Sequence, residues 1–115
     1  MIYLAENSHR TIMKIGRAAD PLVRHSGLWS SAYVRFGPKV GTFRILFLIS
    51  GGAYEERKLI KMFSSLALLG HSNCEWLKHS RIIPRHFRRI GAVEVRTKFL
   101  PKKRRIAELR LGRVR

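Results

Sequence analysis

The chain is predicted to fold as an α+β domain, a small central antiparallel sheet of about three strands flanked by helices, followed by a basic C-terminal extension. Three observations predict it. Short apolar and β-branched runs at 2–5 and 11–16 are split by a polar cluster, one strongly apolar stretch covers 42–50, and residues 53–69 place apolar side chains at the three-four spacing of a helix. A length of 115 residues leaves room for one core, so 1–78 is expected to form the domain and 79–115 the extension.

Each element follows from local chemistry. Ile2-Tyr3-Leu4-Ala5 runs into Glu6-Asn7-Ser8-His9-Arg10, and Thr11 to Gly16 returns, which reads as a hairpin. Asp20 before Pro21 marks a helix start, because the carboxylate accepts from first-turn amides and proline presets φ. Leu22, Val23 and Leu28 supply its apolar stripe, and it should end near Gly27 or Trp29. Residues 30–41 contain Gly37, Pro38 and Gly41 and show no clear period, after which Thr42 to Ser50 reads as the central strand. Gly51-Gly52 breaks that strand. Ala53, Glu56, Leu59, Ile60, Phe63, Leu66 and Ala67 then share one helical face, and Gly70 to Asn73 stops the helix. Beyond it lie a short extended piece, Glu75-Trp76-Leu77, a helix from Arg81 to Ile90 interrupted early by Pro84, a strand from Ala92 to Arg96 and a terminal helix carrying Ile106, Leu109 and Leu111.

Charge dominates the composition. Twenty-four Lys and Arg against 7 Asp and Glu give a net charge of +17, and residues 78–115 alone hold 14 basic and 2 acidic residues. Such a density repels itself unless a polyanion sits nearby, so nucleic acid is the expected partner. Trp29, Trp76 and six Phe exclude a fully disordered chain. The run Ile45 to Ile49 is far short of the ~20 apolar residues of a membrane span. Residues 1–15 lack the continuous apolar segment of a secretory signal, so an intracellular location, cytoplasmic or nucleoid-associated, is expected. Cys74 is the sole cysteine, which excludes an internal disulfide and a cysteine-rich zinc site. The histidines at 9, 25, 71, 79 and 86 show no metal-ligand spacing, and Gly51-Gly52 lacks the Lys-Ser/Thr or third Gly of a phosphate loop.

Taken in order, Ile2-Tyr3, Lys14-Ile15-Gly16, Arg24, Glu56-x-x-Leu59-Ile60-x-x-Phe63 and Glu75-Trp76-Leu77 form a set that resembles the GIY-YIG nuclease superfamily, most closely its phage-associated branch with a Lys-Ile-Gly second motif. The similarity spans residues 1 to about 78. It implies a small endonuclease, related to homing endonucleases, that hydrolyses DNA phosphodiester bonds with one Mg²⁺ or Mn²⁺. By that resemblance Glu56 holds the ion, Tyr3 acts as general base or orients the attacking water, Arg24 grips the phosphate through its fork of donors, Lys14 adds a point charge, and Asn73 steadies the site. Three positions depart from the family pattern: Met1 replaces the first Gly, Lys14 the second Tyr, and Ile60 the His after Leu59. The extension adds Arg81, Arg85, Arg88, Arg89, Arg96, Lys98, Lys102, Lys103, Arg104 and Arg105, which together with Arg17 form the expected nucleic-acid-binding set, DNA before RNA.

Ordinary roles compete with these. Tyr3 in an apolar strand is also a typical core aromatic, Gly16 supplies backbone freedom, Arg24 can pair with Asp20 at i, i+4, and Glu55 or Glu56 can complement the positive start of a helix. Glu56 is preferred because it shares the face of Leu59, Ile60 and Phe63, while Glu55 is turned about one hundred degrees away. Glu75 and Trp76 are read as packing residues. The rival reading is a non-catalytic nucleic-acid-binding protein on the same scaffold, for instance a subunit of a ribonucleoprotein particle such as a ribosome.

Overall fold

A computed structural model describes residues 1–69 and 74–100. Along the chain it comprises β1 (Ile2–Asn7), β2 (Ile12–Arg17), α1 (Pro21–Arg24), α2 (Leu28–Phe36), β3 (Phe43–Ile49), α3 (Ala53–Met62), β4 (Trp76–Lys78), α4 (Ile82–Arg89) and β5 (Val93–Glu94), with short 3₁₀ turns after α1, α2 and α3. The class is α+β. Among the described residues the sheet has five strands in the order β4-β2-β1-β3-β5, more than the three expected, and every pairing is antiparallel. The additional strands are edge pieces of two and three residues that fall on the extended stretches expected at 75–77 and 92–96, and they join the central sheet at its two edges.

β1, rather than β3, is the central strand. All six of its residues are buried, between β2 on one side and β3 on the other. Its alternation sends Ile2 and Leu4 to one face, with Met13, Ile15, Leu59, Ile60, Phe63, Ile83 and Phe87, and Tyr3 and Ala5 to the other, with Leu28, Ala32, Phe43, Ile45 and Trp76. Two helical layers therefore sandwich the sheet: α3 and α4 on the first face, α2 on the second. α4 and β5, which lie in the stretch expected to be the extension, share this core and this sheet.

A register shift where Leu4 pairs with Phe47 and Ala5 with Ile45 leaves Leu46 as an extra residue in β3. Leu46 and Phe47 consequently point to the same face. The turn between β1 and β2 is closed by Asn7, a fully buried side chain whose Oδ1 accepts from the amides of Thr11 (2.8 Å) and Ile12 (2.9 Å) while its Nδ2 donates to the Val40 carbonyl at 2.8 Å.

The first helix is shorter than its sequence suggests. Asp20 caps it through Oδ1, 3.1 Å from the Leu22 amide, but α1 tightens into a 3₁₀ turn at His25–Gly27, and a new helix, α2, occupies part of the stretch expected to be irregular. Its buried face consists of Leu28 and Ala32, while Val34 is 81 % exposed, so its apolar period is blurred. α3 stops at Met62 instead of continuing to 69, because the chain turns into a 3₁₀ turn at Ser64–Leu66.

Candidate functional site

Residues expected to act together approach one another at the end of the sheet where β1 begins. Tyr3 is 1 % exposed and lies across from Gly16 of β2. Two residues earlier on β2, and so on the same face, Lys14 is buried with its ammonium 4.8 Å from the Trp76 ring centroid and 5.9 Å from that of Tyr3. Its Nζ lies 3.6 Å from Oε2 of Glu75, the residue before β4. Trp76 itself packs edge-on against Phe36 and Phe43, which fixes the wall along which the lysine stem runs.

Arg24 ends α1 with an exposed side chain. Its neighbour His25 is buried and donates from Nε2 to the Phe43 carbonyl at 2.7 Å, anchoring that turn to β3. Asp20 is occupied with its capping bond, and no Asp20–Arg24 ion pair forms among the described residues. On α3 the two adjacent carboxylates divide: Glu55 turns back to accept from the Gly52 amide at 2.8 Å, whereas the Glu56 side chain is only 12 % exposed, with Oε1 3.8 Å from Nε of Arg17.

Electrostatics tie these groups into one cluster. Burial pushes the Tyr3 hydroxyl up to about 12; the nearby Arg24 charge opposes the rise, and Glu75 and Glu56 reinforce it. Burial also drives Lys14 below the ordinary lysine value, with Glu75 opposing and Arg24 adding to the shift. Glu56 is raised, first by burial and then by the negative charge of Glu75, against the pull of Arg17 and Lys14. Tyr3 thus lies in the fields of Arg24 and Glu56, and Lys14 in that of Arg24 while it acts on Glu56, although the four come from β1, β2, α1 and α3.

Glu75, treated in the sequence as packing, is a neighbour of Tyr3, Lys14 and Glu56 alike. Its sequence signals are a carboxylate directly before the apolar pair Trp76-Leu77 and its place in the set of motifs that carries the family resemblance. Ile60, where the family pattern has His, is 3 % exposed in the α3-side core and brings no polar group to the cluster. Asn73, Lys102, Lys103, Arg104 and Arg105 lie outside the described residues.

The remaining basic residues are divided between other places. Arg17 joins the cluster through Glu56. Arg81, Arg88 and Arg96 line a polar cavity of about 140 Å³ with Arg10 and Arg44, neither of which was expected to bind. Arg85 and Arg89 line a different cavity, of about 280 Å³, with Phe63, Ile82 and His86. Lys98 is exposed after β5. Among the described residues no group of three or more His, Cys, Asp or Glu side chains gathers, and no helix is long and apolar enough to cross a membrane. Compared with protein-family models, curated proteins and solved structures, the chain matches none of them.

Proposed function

We propose that the chain is a metal-dependent endonuclease of GIY-YIG type acting on DNA, with Tyr3, Lys14, Arg24 and Glu56 as its site. The observation that carries this is the gathering of a buried tyrosine, a buried lysine, an exposed arginine and a shielded carboxylate from four separate elements. Packing alone gives no reason to hold Lys14 and Glu56 where burial disfavours their charged forms.

The donor set fits Mg²⁺ or Mn²⁺. Such ions take one or two carboxylates and complete their shell with water and phosphate oxygens. Glu56 lies in the field of Glu75, whose negative charge disfavours the Glu56 anion, a repulsion that a cation relieves. When bound, the ion supplies neutralisation of the phosphoryl oxygens and of the departing alkoxide. With its hydroxyl pushed up to about 12, Tyr3 stays protonated at neutral pH, so its part is to orient water rather than to take a proton. Arg24, exposed at the helix end, grips the phosphate, and Lys14 faces it as a fixed charge.

One observation favours the non-catalytic nucleic-acid binder: Glu56 already has a cationic neighbour in Arg17, as in an ordinary ion pair. One assay separates the two. Purified protein is incubated with plasmid and Mg²⁺ or Mn²⁺ beside Glu56→Ala and Arg24→Ala. Metal-dependent nicking that falls by about 10² or more in both variants supports the enzyme. Salt-sensitive retention of intact nucleic acid, without nicking, supports the binder.

A further inference from the structure

The polar cavity at the opposite end of the sheet is built differently from the Tyr3 cluster. It is lined by Arg10 from the β1–β2 turn, Arg44 of β3, His79 and Arg81 beside α4, Arg88 of α4 and Arg96 after β5, with Glu6 of β1 at its base. Five arginines surround one carboxylate. Glu6, 5 % exposed, is engaged through both oxygens: Arg44 donates to Oε2 at 2.7–2.8 Å and His79 to Oε1 at 2.8 Å. At the rim Glu94 pairs with Arg88 and Arg96. Arg10 and Arg81 form no ion pair among the described residues, which leaves two guanidinium groups uncommitted around a concave, strongly positive space.

Three backbone irregularities meet here. Arg10 (φ 56°) and Arg96 (φ 39°) are the non-glycine residues with positive φ among those described, and both line this cavity. Such a conformation is disfavoured for any residue with a Cβ, and a glycine would adopt it freely. The third is the bulge residue Leu46, also in the lining, whose carbonyl accepts from the Val95 and Arg96 amides at 2.8 and 3.4 Å. Both positive-φ residues thus stand where the backbone brings their guanidinium groups around one space.

We propose that this cavity binds a phosphate group of a nucleic-acid backbone, as an anchor separate from the Tyr3 cluster. A phosphate is the matching ligand, because planar guanidinium forks pair with its oxygens and the buried Glu6 is already neutralised by two partners. Tyr3 and Glu6 lie three residues apart on β1, roughly 10 Å along the strand, and point to opposite faces, so the two places contact different phosphates. The nucleic-acid partner rests on the charge reading above, but the anchor does not require catalysis.

The test measures binding of a short DNA duplex and of inorganic phosphate by the full chain in EDTA, across a salt series, for the wild type, Arg10→Gly, Arg81→Ala and a charge control, Lys61→Ala on the exposed side of α3. Arg10→Gly removes the guanidinium and relieves the positive φ, so duplex affinity should fall about two- to fivefold while the thermal midpoint holds or rises. Arg81→Ala should lose a similar factor, and each should lower the salt slope by about 1. Losses no larger than that of Lys61→Ala, or binding of free phosphate without any effect of Arg10 and Arg81 on the duplex, would overturn the proposal. Plasmid nicking is scored separately: its absence bears on the endonuclease, while these duplex affinities bear on the cavity.

Discussion

The ring of Tyr3 lies directly on the backbone of Gly16: a Cβ added to that glycine would sit 2.3 Å from the tyrosine oxygen and 2.4 Å from Cζ. The two residues are cross-strand partners in β1 and β2, so the contact belongs to the hairpin itself. Gly16 is there for space, since its φ is not among the positive values. Gly16→Ala is expected to cost about 1–3 kcal/mol by overpacking and to displace the Tyr3 hydroxyl from the cluster. In a Tyr3→Ala background the same change should cost far less. Urea unfolding of the four proteins of this double-mutant cycle measures the coupling.

Alkaline pH addresses Tyr3 by a different route. Its folded value of about 12 exceeds the ordinary 10, so the unfolded chain releases the proton first. The resulting stabilisation is complete below pH 10 and is lost between pH 10 and 12, to an extent of order 2 kcal/mol. Tyr3→Phe should flatten that decline and remove the phenolate absorbance step near pH 12. A step that persists in the variant would place the late-titrating tyrosine elsewhere.

At acid pH the controlling group is Glu6. Burial acts to raise its pKa, but the hydrogen bonds from His79 and Arg44 and their charges outweigh that, leaving it below the ordinary 4.5. A depressed carboxylate contributes stability above its unfolded value, and the contribution is lost as pH falls through the folded value. Glu6→Gln should therefore destabilise the protein at pH 7 by about 1–3 kcal/mol, with a smaller difference at an acid pH below the folded value of this carboxyl. Unfolding midpoints at the two pH values decide it.

The elements legible in the sequence are those written in local rules. The hairpin, the Asp20 cap and the split between Glu55 and Glu56 follow from neighbours within a few residues, and the structure forms the corresponding bonds. What could not be read depends on partners far along the chain. Glu6 looks like the polar end of a short strand, yet β1 continues to Asn7, because Arg44 and His79 neutralise the carboxylate inside the sheet. Glu75 gains its place only when β4 pairs with β2 and brings it to Lys14. Gly16 reads as a flexible turn residue until Tyr3 is seen to cover it. The same limit hides the order of the sheet: β3 is the most apolar stretch, but β1 takes the middle place among the five strands and is buried at every residue.

α4 makes the sharpest prediction about the folding unit. Its Ile83 and Phe87 are fully buried in the core that also holds Ile2, Leu4 and Phe47, and the Phe87 and Phe47 ring centroids are 6.1 Å apart. Arg88 from the same helix lies over the Phe47 ring at 5.4 Å, so the helix seals β3 with both apolar and cationic groups. Following α4, the Ala92 amide bonds back to the Phe87 carbonyl and the chain returns to pair β5 with β3. Phe87→Ala is therefore expected to cost about 3–5 kcal/mol, as for a large aromatic removed from a closed core. A chain ended at residue 78 would expose the sheet face that Ile83 and Phe87 cover, and should lose the cooperative unfolding transition that the full chain shows. If such a fragment instead unfolds cooperatively with near-native stability, α4 is an attachment and the core closes without it; calorimetry on the fragment, beside Phe87→Ala in the full chain, distinguishes the two.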